Sequence, residues 1–342
     1  MILIHENIEF HNAAALEPLH GLPGLCPVRI PAAVRHTLNH GARRQGVTAT
    51  GVELRFVTTA PSVRVAMAAH DENVEVHVYR GGFGHSDHRI AAGQTRVISV
   101  GESERFRLVP RKVLEDGALS PDLWRVQISG GTVGFLGLET YGHPVRPPET
   151  GEKPALRWLA HGSSITHSWA LGYPHHAARR LGVDVLNKGL GGSCHCEETL
   201  AAYFAENETW DFASLELGIN MRGQFTPETF EERARRFVET LRAARPDAPL
   251  ILITHFLNME HHPVPGGANA QQAEYQKAFD EILRRIAGER PDEPTHLIEG
   301  RDLLTDFDGL TCDLIHPGVF GHIQMGENLA RLMRPLLPGA PR

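Results

Sequence analysis

The order of patterns along the chain predicts two architectures in succession: an all-β sandwich, then an α/β domain built on a mostly parallel sheet. Three observations carry this. Short apolar runs with period-2 alternation fill the first ~145 residues. A Pro-, Gly- and charge-rich stretch, GHPVRPPETGEKP, follows at 142–154. Beyond it, apolar runs alternate with long helical patterns. The expected division is a sandwich over 1–145, a linker over 146–154 and a second domain over 155–342.

In the first part, Val63, Val65 and Met67 alternate with Arg64 and Ala66, and Val74, Val76 and Val78 with Glu75 and His77. Such alternation puts one face on a core and the other in water. Turn residues separate the runs at Ala60-Pro61-Ser62, His70-Asp71-Glu72-Asn73 and Gly81-Gly82. Further strands are expected at Arg96–Val100, Trp124–Ser129 and Val133–Thr140. No clear helix intervenes, which favours a sandwich.

In the second part the expected strands are Leu156–Ala160, Val183–Asn187, Ser214–Leu217, Pro249–Thr254 and His296–Glu299. Helical patterns cover Trp169–Leu181, Pro227–Ala244, Gln271–Ala287 and Gly321–Met333. Thr226 is the expected N-cap of the second of these, with Pro227 at its first helical position. Strand–helix alternation implies a parallel sheet covered on both faces. Active sites of such folds lie beyond the carboxyl ends of the strands.

Composition narrows the functional classes. The chain has 342 residues, 41% hydrophobic and 22% charged, which is ordinary globular composition. A formal net charge of −7 argues against binding to a nucleic-acid backbone. No stretch approaches the ~20 apolar residues of a membrane span. The N-terminus MILIHENIEFHN has no signal-peptide pattern, so a cytoplasmic protein is expected. The four cysteines imply no disulfide framework.

Four segments fall at expected strand ends or near the C-terminus: His161-Gly162-Ser163-Ser164-Ile165-Thr166, Gly189-Leu190-Gly191-Gly192-Ser193, Gly218-Ile219-Asn220 and Asp313-Leu314-Ile315-His316-Pro317. A serine hydroxyl is a poor nucleophile until a base takes its proton. Ser164 follows an apolar run through a turn of small residues. His316 is the candidate base, because Asp313 three residues earlier can reach its imidazole and fix the tautomer. Gly192, without a Cβ, can bring a backbone N–H close to an oxyanion, and Asn220 can offer a side-chain amide. This is acyl-transfer chemistry and needs no cofactor.

At these residues the sequence resembles the SGNH, or GDSL-like, hydrolase family. Ser164 matches the nucleophile in Gly-x-Ser-Ile-Thr, Gly192 the second-block glycine, Asn220 the Gly-x-Asn block, and Asp313 with His316 the final Asp-x-x-His-Pro. The resemblance covers roughly 155–335. It implies a flavodoxin-like three-layer α/β/α domain, and an oxyanion hole formed by Ser164 N–H, Gly192 N–H and the Asn220 side chain. Ser163 and Met221 stand where the family often has Asp, which loosens any transfer of substrate class. The all-β part resembles, in architecture, the carbohydrate-binding-like domains that precede such hydrolases.

The implied activity is a serine esterase acting on a small-molecule ester, with acylated sugars as one substrate class. The runner-up is an acyltransferase that passes an acyl group, for example from a thioester donor, to an alcohol in natural-product tailoring. A non-catalytic carbohydrate-binding protein is the rival of another class. Trp169, Arg222, Phe225 and His255 are candidate substrate contacts, with His261 and His262 as further cleft residues. Cys194-His195-Cys196 has tighter spacing than zinc ligands usually show, so no metal is expected. For Tyr79, Phe83, Trp124 and Tyr141, core packing is favoured over sugar platforms, and the sandwich is expected to shape one wall of the cleft.

Overall fold

A computed structural model describes residues 2–337. By contacts the chain divides into two compact units: Met1–Ala32, Gly46–Ala155 and Gly182–Leu186 in one, and Ala33–Gln45, Leu156–Leu181 and Asn187–Arg342 in the other.

The first unit is an antiparallel β-sandwich. One sheet runs Leu3–His5, Ile8–His11, Glu53–Thr58, Leu123–Ser129, Val74–Arg80 and Phe83–Ile90, with Val145–Arg146 paired to Glu53–Thr58. The other runs Ala15–Leu19, Leu22–Val28, Val133–Glu139, Ser62–Ala69 and Thr95–Gly101. The alternation in the sequence is the reason for both faces. Val63, Val65 and Met67 of one sheet and Val74, Val76 and Val78 of the other are buried in a single core. Phe10 and Phe135 meet edge-to-face there, 5.3 Å apart. Burying each such side chain is worth about 1.5–3 kcal/mol. Trp124 is fully buried, with the Arg80 guanidinium 4.5 Å from its ring centroid. Tyr79 is half-buried beneath Arg125, whereas Phe83 and Tyr141 are exposed, contrary to the core role expected for them.

Five strands form a parallel sheet: β1 (Arg157–His161), β2 (Asp184–Asn187), β3 (Phe212–Glu216), β4 (Leu250–Ile253) and β5 (Thr295–Ile298). Their order is β2-β1-β3-β4-β5, the flavodoxin-like order. The three inner strands, β1, β3 and β4, are almost wholly buried, as both-face coverage requires, while β5 at the edge is mostly half-buried. The covering helices are α1 (Tyr173–Leu181), α2 (Glu198–Glu206), α3 (Pro227–Ala244), α4 (Ala270–Gly288) and α5 (Val319–Met333). α1 packs on α5, while α2, α3 and α4 pack in succession. In α3, Phe230, Ala234, Phe237, Val238 and Leu241 form the buried stripe. The Thr226 side chain caps α3 by accepting from the Thr229 N–H at 3.4 Å.

Four short helical segments depart from the strand-only expectation for the first 145 residues: Ala32–Arg35, His40–Val47, Glu104–Leu108 and Arg111–Leu114. His40–Val47 is a helix, and Asn39 caps it by accepting the Ala42 N–H at 3.0 Å. Its sequence, HGARRQGV, holds two glycines and little apolar periodicity, so nothing local announces a helix. Its end is tied to the residues just after the preceding strand, since the Gly46 carbonyl accepts the Arg29 and Ile30 N–H groups, while its cap residue Asn39 reaches Ser193, 154 residues downstream. Among the described residues no helix is long and apolar enough to cross a membrane.

Candidate active site

The site gathers at the carboxyl ends of β1, β2 and β3. After β1 the chain turns through Gly162, where any Cβ would lie 2.4 Å from Thr166 Oγ1 and 2.5 Å from Glu216 Oε2. Only glycine fits so close an approach. Glu216, the last residue of β3, holds the turn from beneath. Its Oε2 accepts the Ser163 N–H at 2.6 Å and the Thr166 hydroxyl at 3.1 Å. Burial pushes this carboxyl up, against the lowering effect of the Ser163 and Thr166 hydrogen bonds. Tyr173 completes the support, with its hydroxyl 2.7 Å from Thr166 Oγ1.

Ser164 stands on that turn, and its Oγ lies 2.7 Å from His316 Nε2. His316 Nδ1 is 2.7 Å from Asp313 Oδ2. A carboxylate can only accept, so Nδ1 carries the proton and Nε2 faces the hydroxyl as an acceptor. The Asp313–His316 turn is built by local bonding. Thr311 N–H donates to the His316 carbonyl at 2.8 Å, and Leu314 adopts φ 57°. Asp313 Oδ1 collects the N–H groups of His316 (2.8 Å) and Ile315 (2.9 Å) and the Thr311 hydroxyl (2.8 Å). Burial opposes the charge on Asp313. These bonds, with that from the His316 ring, outweigh it and hold the carboxyl well below the usual carboxylate range.

Three hydrogen-bond donors at these loops are unspent. Neither the Ser164 N–H nor the Gly192 N–H has a partner among the described residues. Gly192 is exposed and sits at φ +68°, a left-handed conformation that glycine adopts without steric cost. Asn220 accepts the Cys194 N–H on Oδ1 at 3.1 Å. That bond identifies which amide atom is which and leaves Nδ2 as a free donor. A hydroxyl poised on an imidazole, a carboxylate behind the imidazole, and unspent donors on the adjoining loops are the parts an acyl transfer needs.

The other sequence candidates lie as follows. Trp169 is half-buried and meets His322 edge-on at 5.1 Å. The Arg222 guanidinium is buried, 3.0 Å from Glu260 and bonded to Gln276. Phe225 packs between His195, at 5.2 Å, and Arg233, at 4.8 Å. His255 is buried and bonded through Nδ1 to Asp280 at 2.7 Å. With His261, Gln276 and Asp280 it lines a pocket of about 570 Å³ beside the ends of β4 and β5. Burial lowers His261 to about 4, so its ring is neutral there. The Cys194 thiol rests 3.5 Å from His161 Nε2, while His161 Nδ1 donates to the Lys188 carbonyl at 2.8 Å. Glu216 escaped the sequence reading, although one acid within the apolar run of β3 was a usable signal.

Residues 160–322 match the GDSL-like lipase/acylhydrolase family. No curated protein matches the chain by sequence. The fold is similar along almost its whole length to a salicylyl-acyltransferase from a tetracycline biosynthetic pathway (TM-score 0.76, 19% identity, 98% of this chain and 97% of that one). It is likewise similar to a candidate GDSL-like lipase from Bacteroides ovatus (TM-score 0.68, 17% identity, 96% and 95%). A family two carbohydrate esterase from Cellvibrio japonicus also shares it (TM-score 0.60, 15% identity, 97% and 96%). Residues 160–322 therefore form a domain of the GDSL-like lipase/acylhydrolase, or SGNH, family, preceded in this chain by an antiparallel β-sandwich.

Proposed function

We propose that the protein is a serine esterase working through an acyl-enzyme on Ser164. The observation that carries this is the unbroken chain Ser164 Oγ, His316 Nε2, His316 Nδ1, Asp313 Oδ2, with both links at 2.7 Å. His316 takes the Ser164 proton as Oγ attacks the ester carbonyl. The new oxyanion faces the N–H groups of Ser164 and Gly192 and the Asn220 Nδ2. Collapse breaks the ester C–O bond, and His316 passes its proton to the departing alcohol. Water then gives a proton to His316 and attacks the acyl carbon. The acid leaves and Ser164 regains its proton.

Acylated sugars and other small esters are the proposed substrates, a choice supported by the fold shared with family two carbohydrate esterases. The second reading replaces water with an alcohol acceptor and draws on the fold shared with the salicylyl-acyltransferase. A fluorophosphonate probe tests the common core. It should label Ser164, and His316→Ala should abolish labelling. An unlabelled Ser164 in folded protein sinks the proposal and favours a binding protein instead. Hydrolysis of short-chain aryl esters, with and without sugar alcohols, then separates the readings. Acyl product on the alcohol in preference to water would replace the esterase by the transferase.

A further inference from the structure

The second-block loop does not hold itself in place. Its Ser193–Cys194 peptide is gripped from both sides. The Ser193 carbonyl accepts from Asn39 Nδ2 at 3.0 Å, and the Cys194 N–H donates to Asn220 Oδ1 at 3.1 Å. The C=O and N–H of a trans peptide point in opposite directions, so the plane lies between two asparagine side chains. Its orientation decides what Asn220 can do. With the N–H toward Asn220, Oδ1 is spent and Nδ2 is free. If the peptide turned over, its carbonyl would face Asn220, and Nδ2 would be drawn into binding it.

Asn39 is itself held on every side. Its Oδ1 caps the helix His40–Val47. Its backbone N–H donates to Glu197 Oε1 at 3.3 Å, and Nδ2 bonds the same carboxylate. The neighbouring Thr37 hydroxyl reaches Thr199 Oγ1 at 2.8 Å. The segment therefore attaches at three points, Ser193 in the loop, Glu197 at its end and Thr199 in the first turn of α2.

On the reading of Ser164 given above, we infer that Asn39 is a positioning residue for the oxyanion donors, acting through the Ser193–Cys194 peptide on Asn220. It touches no reacting atom. Its work is to keep the Asn220 amide presented by its nitrogen and Gly192, the next residue back, in its left-handed conformation.

The test uses Asn39→Ser and Asn39→Asp, because Ser and Asp cap helices as well as Asn does and so spare the helix. Ser cannot reach the Ser193 carbonyl, and Asp opposes it with an acceptor. Steady-state hydrolysis of p-nitrophenyl acetate is measured for these variants alone and in an Asn220→Ala background. Losing an oxyanion donor outright costs roughly 10²–10³ in rate, so misorienting one should cost less. Asn39→Ser is expected to lower kcat about tenfold with KM changed less than twofold, and Asn39→Asp to lower it further. In the Asn220→Ala background the Asn39 effect should shrink to less than about twofold, since the group it acts through is gone. An unchanged kcat, or the same loss in both backgrounds, overturns the inference while leaving the esterase intact. Wild-type protein that neither turns over nor labels at Ser164 overturns the esterase reading and the inference with it.

Discussion

Replacing Asp313 by Asn tests how much of the relay rests on a carboxylate. The change keeps the side chain's size. Oδ1 can still accept the N–H groups of Ile315 and His316 and the Thr311 hydroxyl, so the turn should survive. The amide NH₂ would then face His316 Nδ1 at the position where Oδ2 now sits, 2.7 Å away. Two donors cannot share that contact, so the imidazole adopts the tautomer with its proton on Nε2, pointing at Ser164. Lost charge adds to the wrong tautomer. At about 4 Å a carboxylate and an imidazolium attract by about 1 kcal/mol in water and about 4 kcal/mol near a protein surface. The His316 and Asp313 side chains are 44% and 49% exposed, which places the pair between these limits, near 2 kcal/mol or about thirtyfold. With roughly tenfold more for the tautomer, kcat/KM should fall about 300-fold, short of the ~10⁴ seen when such a relay loses a buried aspartate. The assay is p-nitrophenyl acetate hydrolysis at constant pH, with thermal unfolding as the control for folding. An Asp313→Asn enzyme within threefold of wild type would refute the relay as described.

Three further outcomes are expected. Asn220→Asp keeps the acceptor for the Cys194 N–H but removes the donor, so kcat should drop by about 10²–10³ with little change in unfolding midpoint; a rate close to wild type would remove Asn220 from the site. Glu216→Gln retains an acceptor for the Ser163 N–H and should stay near wild-type stability. Glu216→Ala strands that buried N–H and should cost about 1–3 kcal/mol in urea unfolding, together with activity; equal stability of the two variants would dissolve the proposed support. Burial, followed by the neighbouring His176 and His316, lowers His322 to about 4 from an unfolded value near 6.5. Below pH 6.5 the unfolded chain binds the proton first, so stability present at pH 7 is lost as pH falls toward 4, by up to about 3 kcal/mol from this residue. Urea midpoints from pH 7 to pH 4.5 should follow that slope, and His322→Gln should flatten it; an unaltered slope would assign the acid sensitivity to other groups.

What could be read from sequence depended on whether a feature was local. The helix Pro227–Ala244 was legible to the residue because its cap, its proline and its apolar stripe lie within one stretch. Asp313 and His316 were legible for the same reason, three residues apart on one turn. The strand read as Ser214–Leu217 begins two residues earlier, because Phe212 and Ala213 are recruited by pairing with Trp158 and Leu250, which no local pattern shows. The helix expected from Trp169 starts only at Tyr173, since Gly172 bonds back to Trp169 in a turn. The helix Glu198–Glu206 follows the Cys194-His195-Cys196 loop without a side-chain cap, and went unread. The hold of Asn39 on Ser193 and Glu197 was invisible because those residues lie about 150 residues downstream, although its cap on the following helix is local.

That separation also sets a timetable for biosynthesis. Asn39 emerges from the ribosome 154 residues before Ser193, a wait of about 8–30 s at ~5–20 residues per second. The second unit is therefore begun before the sandwich is complete and closed only after it, so the nascent chain must carry an unfinished seam across the synthesis of an entire domain.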